Sequence, residues 1–288
     1  MNITVLGHVC IDKNISERSS YMTAGSPAMF MDKIFRQFPN VTTTIITPYG
    51  KEFLPFQGSA VLIPNQPTSE KTLAYKNITK NTIREQKAYN RDSATPVPLN
   101  NEMRTPLALT DVLFIAPLLP NYSAEYLQSV IAVTNPQAIK ILLPQAYYRA
   151  FDEHDRVIKR QFLEAYEILQ LVDIVIVSEQ DQINMKKELI TWVQKHPRLI
   201  AVMTMSEKGA LALKDGNEIM LPAIPVPQKD IIDSVGSGDI FSAGFAYRYQ
   251  QTKDREVAGT FANALARQCL FYTPDKIKID YPLLLERK

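Results

Sequence analysis

The chain has 288 residues, 45% of them apolar, and its 32 Lys+Arg against 30 Asp+Glu leave a formal charge of +2. That length suits one large α/β domain or about two domains of ~150 residues, and it buries enough surface to fold without disulfides or a structural metal. So even a charge balance excludes a strong electrostatic nucleic-acid binder. Two cysteines, Cys10 and Cys269, exclude a disulfide framework or a Cys-rich zinc site and point to a reducing compartment.

Residues 3–9 are continuously apolar, as expected of a strand covered on both faces. The apolar stretch ends at Ile11, is broken by Gly7 and His8 and follows no basic segment, so it does not read as a signal peptide. No apolar run approaches the ~20 residues of a membrane span, and the expectation is a cytoplasmic protein with no membrane or nucleic-acid partner. Residues 10–23 are polar and irregular, and 28–37 carry a helical pattern. A β-branched strand follows at 42–47. Residues 59–63, 71–79 and 83–89 partly alternate, which predicts strands with one solvated face. Together with 10–24, the segment 59–92 reads as a small antiparallel sheet inserted near the start of the fold. Either it is a lid at the ligand edge of the large sheet or a β excursion without that role. Thr72, Tyr75, Asn77 and Arg84 in it face either the cleft or solvent.

Residues 95–106 hold three prolines and read as a loop. Buried strands are predicted at 112–116, 139–143, 174–177 and 199–204, with helices at 124–133, 153–171 and 182–196 between them. Asp215-Gly216-Asn217 between two short apolar runs predicts a hairpin, and helices follow at 238–251 and 254–272. The α/β alternation predicts a mostly parallel sheet between two helical layers. There is no P-loop, no Gly-x-Gly-x-x-Gly, no His-Glu-x-x-His and no Gly-x-Ser-x-Gly. Glu153-His154-Asp155 looks metal-like but falls where a helix is expected to begin.

The informative run is Asp233-Ser234-Val235-Gly236-Ser237-Gly238-Asp239-Ile240-Phe241-Ser242-Ala243-Gly244-Phe245. A glycine-rich turn opening a small-residue helix lines up backbone N–H groups into an anion site. Asp239 stands among those donors and is expected to be ionised at neutral pH. An anion hole beside a carboxylate base suits phosphoryl transfer to a hydroxyl. The competing reading is an Asp-capped helix after a glycine turn.

The full run resembles the C-terminal signature of the ribokinase-like (PfkB) carbohydrate kinases, with Ser234 in place of Thr and Ser237 in place of Ala. The resemblance implies a single ribokinase-like domain over 1–288: three α/β/α layers, a mostly parallel sheet and a small β lid. It implies Asp239 as general base and an anion hole from Gly236, Ser237 and Gly238. Gly7 followed five residues later by Asp12 fits the family's opening, which would make Asp12 a ligand for substrate hydroxyls; a turn-forming Asp is the alternative. Ala24-Gly25-Ser26-Pro27-Ala28-Met29 resembles the family's Gly-Gly…Asn segment, so Gly25, Ser26 and Met29 are implied at the substrate, with Ala24 and Met29 as departures. Ser178-Glu179-Gln180-Asp181 resembles Asn-x-x-Glu, a motif tied to Mg²⁺ and phosphate, and implies Asp181 and Glu179 near the metal, directly or through water.

Residues 202–210 resemble the turn beside the nucleotide, implying Thr204, Ser206, Glu207 and Gly209 at ATP, with Ser206 where Gly is usual. Ala262 and Asn263 resemble the stretch that lies against adenine; a buried helix amide is the alternative for Asn263. Pro144-Gln145-Ala146-Tyr147-Tyr148-Arg149 looks like the Pro-Gln-Gly-x-x-Arg of inositol- and nucleoside-type members, which implies Gln145 and Arg149 at the substrate; a surface Arg is the alternative. The function implied is ATP- and Mg²⁺-dependent phosphorylation of a small sugar or polyol, inositol-like or hexose/pentose. Some members also hold a monovalent cation, and some pair as homodimers through the lid. Met29 and the Tyr147-Tyr148 pair bring in a nucleoside kinase as one alternative. The accumulated departures bring in another, a catalytically weak ATP- or metabolite-binding sensor.

Overall fold

The structure, a computed structural model, describes residues 1–15, 20–80 and 83–285. In chain order the strands are β1 (Asn2–Gly7), β2 (Cys10–Ile15), β3 (Ser20–Gly25), β4 (Thr42–Ile46), β5 (Leu62–Ile63), β6 (Ala74–Lys80), β7 (Ile83–Tyr89), β8 (Val112–Ala116), β9 (Ile139–Leu142), β10 (Arg149–Phe151), β11 (Val157–Lys159), β12 (Ile174–Ser178), β13 (Ile200–Thr204), β14 (Ala210–Lys214) and β15 (Asn217–Leu221). The helices are α1 (Pro27–Phe35), α2 (Leu54–Gln57), α3 (Asn101–Leu109), α4 (Ala124–Ile131), α5 (Ala165–Leu169), α6 (Met185–Lys195), α7 (Ser237–Thr252), α8 (Arg255–Cys269) and α9 (Tyr281–Leu285).

Nine strands form one sheet in the order β15-β14-β13-β12-β9-β8-β1-β4-β5. Pairing is parallel from β13 to β5 and antiparallel at β14 and β15. Successive residues of one strand feed opposite cores, which explains why the strands read as unbroken apolar runs. Val5, Phe114 and Ile176 pack with α1, α7 and α8 on one face, whereas Leu6, Leu113 and Val175 pack with α3, α4 and α6 on the other. Three layers result, and among the described residues no helix is long and apolar enough to cross a membrane.

A second sheet has the order β3-β2-β6-β7. Contrary to the antiparallel expectation, β2 pairs with β6 in parallel, while the two outer pairs are antiparallel. No hairpin links β2 to β6; the chain crosses the large sheet between them. Residues 62–63, expected in this small sheet, instead form β5 at the edge of the large one.

Two further expectations fail for local reasons. Residues 101–109 are helical despite Pro106, because Asn100 caps the helix by accepting from Met103 N–H and the helix buries Met103 and Leu107. Residues 153–171 are mostly not helical. The Asp152 carboxylate accepts from the N–H groups of His154 and Arg156, each at 2.9 Å, and closes a turn between β10 and β11. Such side-chain-to-backbone bonds compete with helix formation, so Glu153-His154-Asp155 is a hairpin turn and not a helix start. The Asp215-Gly216 turn does form, with both residues at positive φ.

Buried His8 accepts from Leu118 N–H at Nδ1, 3.0 Å, and so carries its proton on Nε2, which lies 2.9 Å from the Ala94 carbonyl. Burial holds its pKa down to about 4. The neutral ring ties the end of β1 to the loops that follow β7 and β8.

Candidate active site

The C-terminal ends of parallel strands are where open α/β sheets bind ligands. Asp181 follows β12 and Thr204 ends β13, Arg149 opens β10 a few residues after β9, and Asp12 lies in β2 of the small sheet, shortly after β1. Asp239 joins them from the third position of α7. The charges of Arg149, Asp181 and Asp12 all act on the Asp239 carboxyl, so four residues spread over some 230 positions in sequence converge.

Gly236 is the N-cap of α7 at φ 79. A β-carbon there would lie 2.8 Å from the Phe30 ring, so both the left-handed backbone and the close approach of α1 require glycine. Ser237 N–H donates to Ser234 O and Ile240 N–H to Gly236 O. Among the described residues, the N–H groups of Gly238 and Asp239 have no such acceptor and remain for an anion. The space over Gly238 is open, since a β-carbon there would meet nothing within 4 Å. Its carbonyl is held by the Ser242 hydroxyl at 2.8 Å.

Asp239 is half-buried in the first turn of α7. Burial, opposed by Arg149 and reinforced by Asp181 and Asp12, pushes its pKa up to about 7. The expectation of full ionisation at neutral pH is thus corrected. The N-terminal donors of α7 do not offset the loss of solvent and two like charges nearby. Burial also raises Asp181, against a hydrogen bond from Ser178 N–H at 2.8 Å and the charges of Arg149 and Lys159. Glu179 turns away to Lys208, 3.7 Å off. Among the described residues no three His, Cys, Asp or Glu side chains converge into a metal cage.

Asp12 lies directly over Gly25: a β-carbon on Gly25 would sit 2.1 Å from its Oδ2. The Cys10 thiol donates to Asp12 Oδ1 at 3.5 Å. Ser26 caps α1, accepting from Met29 N–H, and does so at φ 104, a backbone region that strains non-glycine residues. Met29 itself is buried, as are Tyr147 and Tyr148, whose hydroxyls donate to the Tyr122 carbonyl and to Glu188. These three side chains are spent on the core. Gln145 is exposed on the turn after β9.

Tyr75 of β6 meets the Arg149 guanidinium 6.0 Å from its ring centre, which resolves which way this residue faces. Thr72 and Asn77 are buried and bonded within the small sheet and its surroundings, Thr72 to Gly50 N–H and Asn77 to Asn14 and Gln86. The side chain of Arg84 and residues 16–19 and 81–82 of the expected lid lie outside the described residues.

The turn after β13 carries Ser206 at φ 51, a non-glycine residue in the left-handed region where the resemblance expects glycine. Ser206 and Glu207 are exposed, and Gly209 at φ 97 fits against the Leu221 carbonyl. Thr204 donates its hydroxyl to the Val177 carbonyl. Ala262 is fully buried, packed where Gly244 lets α7 and α8 touch. The Asn263 amide donates to the carbonyls of Leu221 and Pro222 at 2.9 and 3.1 Å. Sequence reasoning did not foresee Phe30 beneath Gly236 or Cys10 beside Asp12, and neither position carries a local signal.

A family model described as pfkB family carbohydrate kinase matches residues 61–276. A cytidine kinase of Thermococcus kodakarensis is 23% identical over 288 residues, 94% of this chain and 96% of its own. Among solved structures, a pyrophosphate-dependent kinase in the ribokinase family, complexed with a pyrophosphate analog and myo-inositol, superposes with TM-score 0.74 and 16% identity over 99% of each chain. Arabidopsis thaliana ribokinase complexed with ribose and ATP does so with TM-score 0.73 and 14% identity over 99% of this chain and 97% of its own. With the glycine turn, Asp239 and the three-layer architecture in register over most of its length, the chain belongs to the PfkB family of carbohydrate kinases and has the ribokinase-like fold.

Proposed function

We propose that the protein transfers a phosphoryl group from ATP to a hydroxyl of a small uncharged sugar or polyol, with Asp239 as the base. The observation that carries this reading is the convergence of Asp12, Arg149 and Asp181 on Asp239, at the start of a helix whose Gly238 and Asp239 N–H groups are unspent. The charge of Arg149 acts on both Asp239 and Asp181, and Asp12 adds a third carboxylate to the group. An anionic acceptor would add negative charge to a site that has an excess of it, which favours a neutral one.

Asp12 accepts hydrogen bonds from acceptor hydroxyls and so orients one of them. The ionised carboxylate of Asp239 takes that hydroxyl's proton as the oxygen attacks. The Gly238 and Asp239 N–H groups hold the transferring oxygens, and no group there must reorganise during the reaction. The small sheet, acting as a lid, excludes water that would otherwise accept the phosphoryl. The exposed turn at Ser206 and Glu207 offers a nucleotide surface at the same edge. The residues present fit Mg²⁺. The carboxylate excess favours a cation, and beside phosphates Mg²⁺ needs only one or two carboxylates, often through water. Asp181 would take that part with the oxygen not bonded to Ser178. When bound, Mg²⁺ neutralises phosphate charge.

A nucleoside acceptor is the second reading, supported by the near-full-length similarity to a cytidine kinase. The test is product formation with ATP or pyrophosphate as donor and a panel of polyols, hexoses, pentoses and nucleosides, alongside Asp239→Asn. Acceptor-dependent transfer that is lost in the variant supports the proposal, and the best acceptor decides between the readings. Demonstrable ATP binding without transfer to any acceptor would overturn it in favour of a sensor.

A further inference from the structure

The β10–β11 hairpin that stands where a helix was expected links the two sheets. It leaves the large sheet just after β9, and its first residue is Arg149. Its far end is fastened to β7. Ala88 N–H donates to the Asp155 carbonyl at 3.0 Å, and Lys87 and Arg156 form an antiparallel bridge. Arg91, two residues beyond β7, donates to Asp155 Oδ1 at 2.8 Å, and its guanidinium lies 4.6 Å from the Phe151 ring centre. Beneath these contacts Phe151 and Val157 pack on the cluster of Cys10, Leu73, Tyr75 and Ala88. The turn is stiffened by Asp152, which also pairs with Arg156 at 2.6 Å.

Between the fastening at Asp155 and the cleft there is only a short paired ladder, from Phe151↔Val157 to Arg149↔Lys159. Whatever fixes the hairpin on the small sheet therefore fixes the guanidinium in the cleft. We propose that Arg91 and Asp155 are positioning residues, which moor the hairpin to the small sheet and thereby hold Arg149 among Asp12, Asp181 and Asp239. The inference rests on the kinase reading only for its consequence in turnover. The mooring itself is a separate property of the chain.

Arg91 and Asp155 are about two-fifths exposed, and such pairs add little to overall stability, so variants should fold. Asp155 has φ 62, which Asn tolerates, so Asp155→Asn removes the charge and spares the turn. The groups facing Asp239 are Arg149, Asp181 and Asp12, with Cys10 and Tyr75 beside Arg149. Arg149 is the one cation among them, so loosening it weakens the ionised form of Asp239 at low pH.

The experiment compares wild type, Arg91→Met, Asp155→Asn, the double variant and Arg91→Lys by pH–rate profile. Because an opposite charge nearby shifts a carboxyl by about one pH unit or more, kcat/KM at acid pH is expected to fall about 3–10-fold in the first two variants, with the loss shrinking as pH rises. The double variant should lose no more than either single one, and Arg91→Lys should retain activity. A parallel readout needs no turnover: the rate at which phenylglyoxal modifies Arg149, followed by peptide mass spectrometry, should rise in the two variants and not in Arg91→Lys. Folded variants with an unchanged profile and unchanged Arg149 reactivity would overturn the mooring. If wild type transfers no phosphoryl group while Arg149 reactivity still rises, the mooring stands and the kinase reading falls.

Discussion

Asp239→Asn should destroy turnover and stabilise the fold, and the two effects come from one cause. Crowding in the cleft moves the Asp239 carboxyl from 3.8 to about 7. Between those values the folded state holds a proton that the unfolded chain releases. Stability therefore falls as pH rises from about 4 to about 7, and the loss is complete above that. Roughly three decades in proton affinity at about 1.36 kcal/mol each make about 4 kcal/mol, an upper bound for a side chain that water still reaches in part. About 2–4 kcal/mol is expected, or ~4–8 °C in Tm for a chain of this size. The amide carries no charge to desolvate, so the variant should gain that amount near pH 8 and almost nothing near pH 4. Its kcat should drop ~10²–10⁴-fold, the scale of a lost general base. Thermal melts of both proteins at the two pH values, with kcat measured at the higher one, make the test. Equal melting points near pH 8, or near-wild-type turnover, would refute the reasoning.

Three other substitutions probe the frame around the base. Gly236→Ala places a β-carbon 2.8 Å from the Phe30 ring at φ 79; overpacking typically costs about 1–3 kcal/mol, and kcat should fall with it. Urea unfolding and kcat measured on one preparation check both effects. Gly25→Ala drives a methyl group into the Asp12 carboxylate. It should raise KM for the acceptor about tenfold or more and leave KM for ATP near wild type, read from initial rates with each substrate varied. Asn263→Ala leaves the Leu221 and Pro222 carbonyls without their donor. It should cost about 1–3 kcal/mol in chemical denaturation, and a variant of unchanged stability would show that the amide does not hold α8 to β15.

The glycine turn was legible because its constraints are local. Gly236 adopts a positive φ, the helix opens there, and Asp239 stands three residues on, all within one run of chain. The large sheet was equally legible, since strands buried on both faces leave no polar alternation. Legibility stopped where long-range packing outvotes local preference. The cap at Asn100 and the buried Met103 override Pro106. The Asp152 carboxylate turns a helical-looking stretch into a hairpin. Tyr147, Tyr148 and Met29, attractive as pocket walls, are buried in the core.

The sequence alone determined the α/β architecture and the glycine turn that opens α7 with Asp239 in its first turn, because backbone geometry and apolar periodicity act between near neighbours. Only the tertiary structure decided the ionisation of Asp239. That depends first on burial and then on Arg149, Asp181 and Asp12, residues from three other elements that meet it only in the folded chain. The same holds for the hairpin: its docking is on a sheet whose partner strand lies about 70 residues earlier in the chain, and charge interactions depend on distance in space, which the order of residues does not reveal.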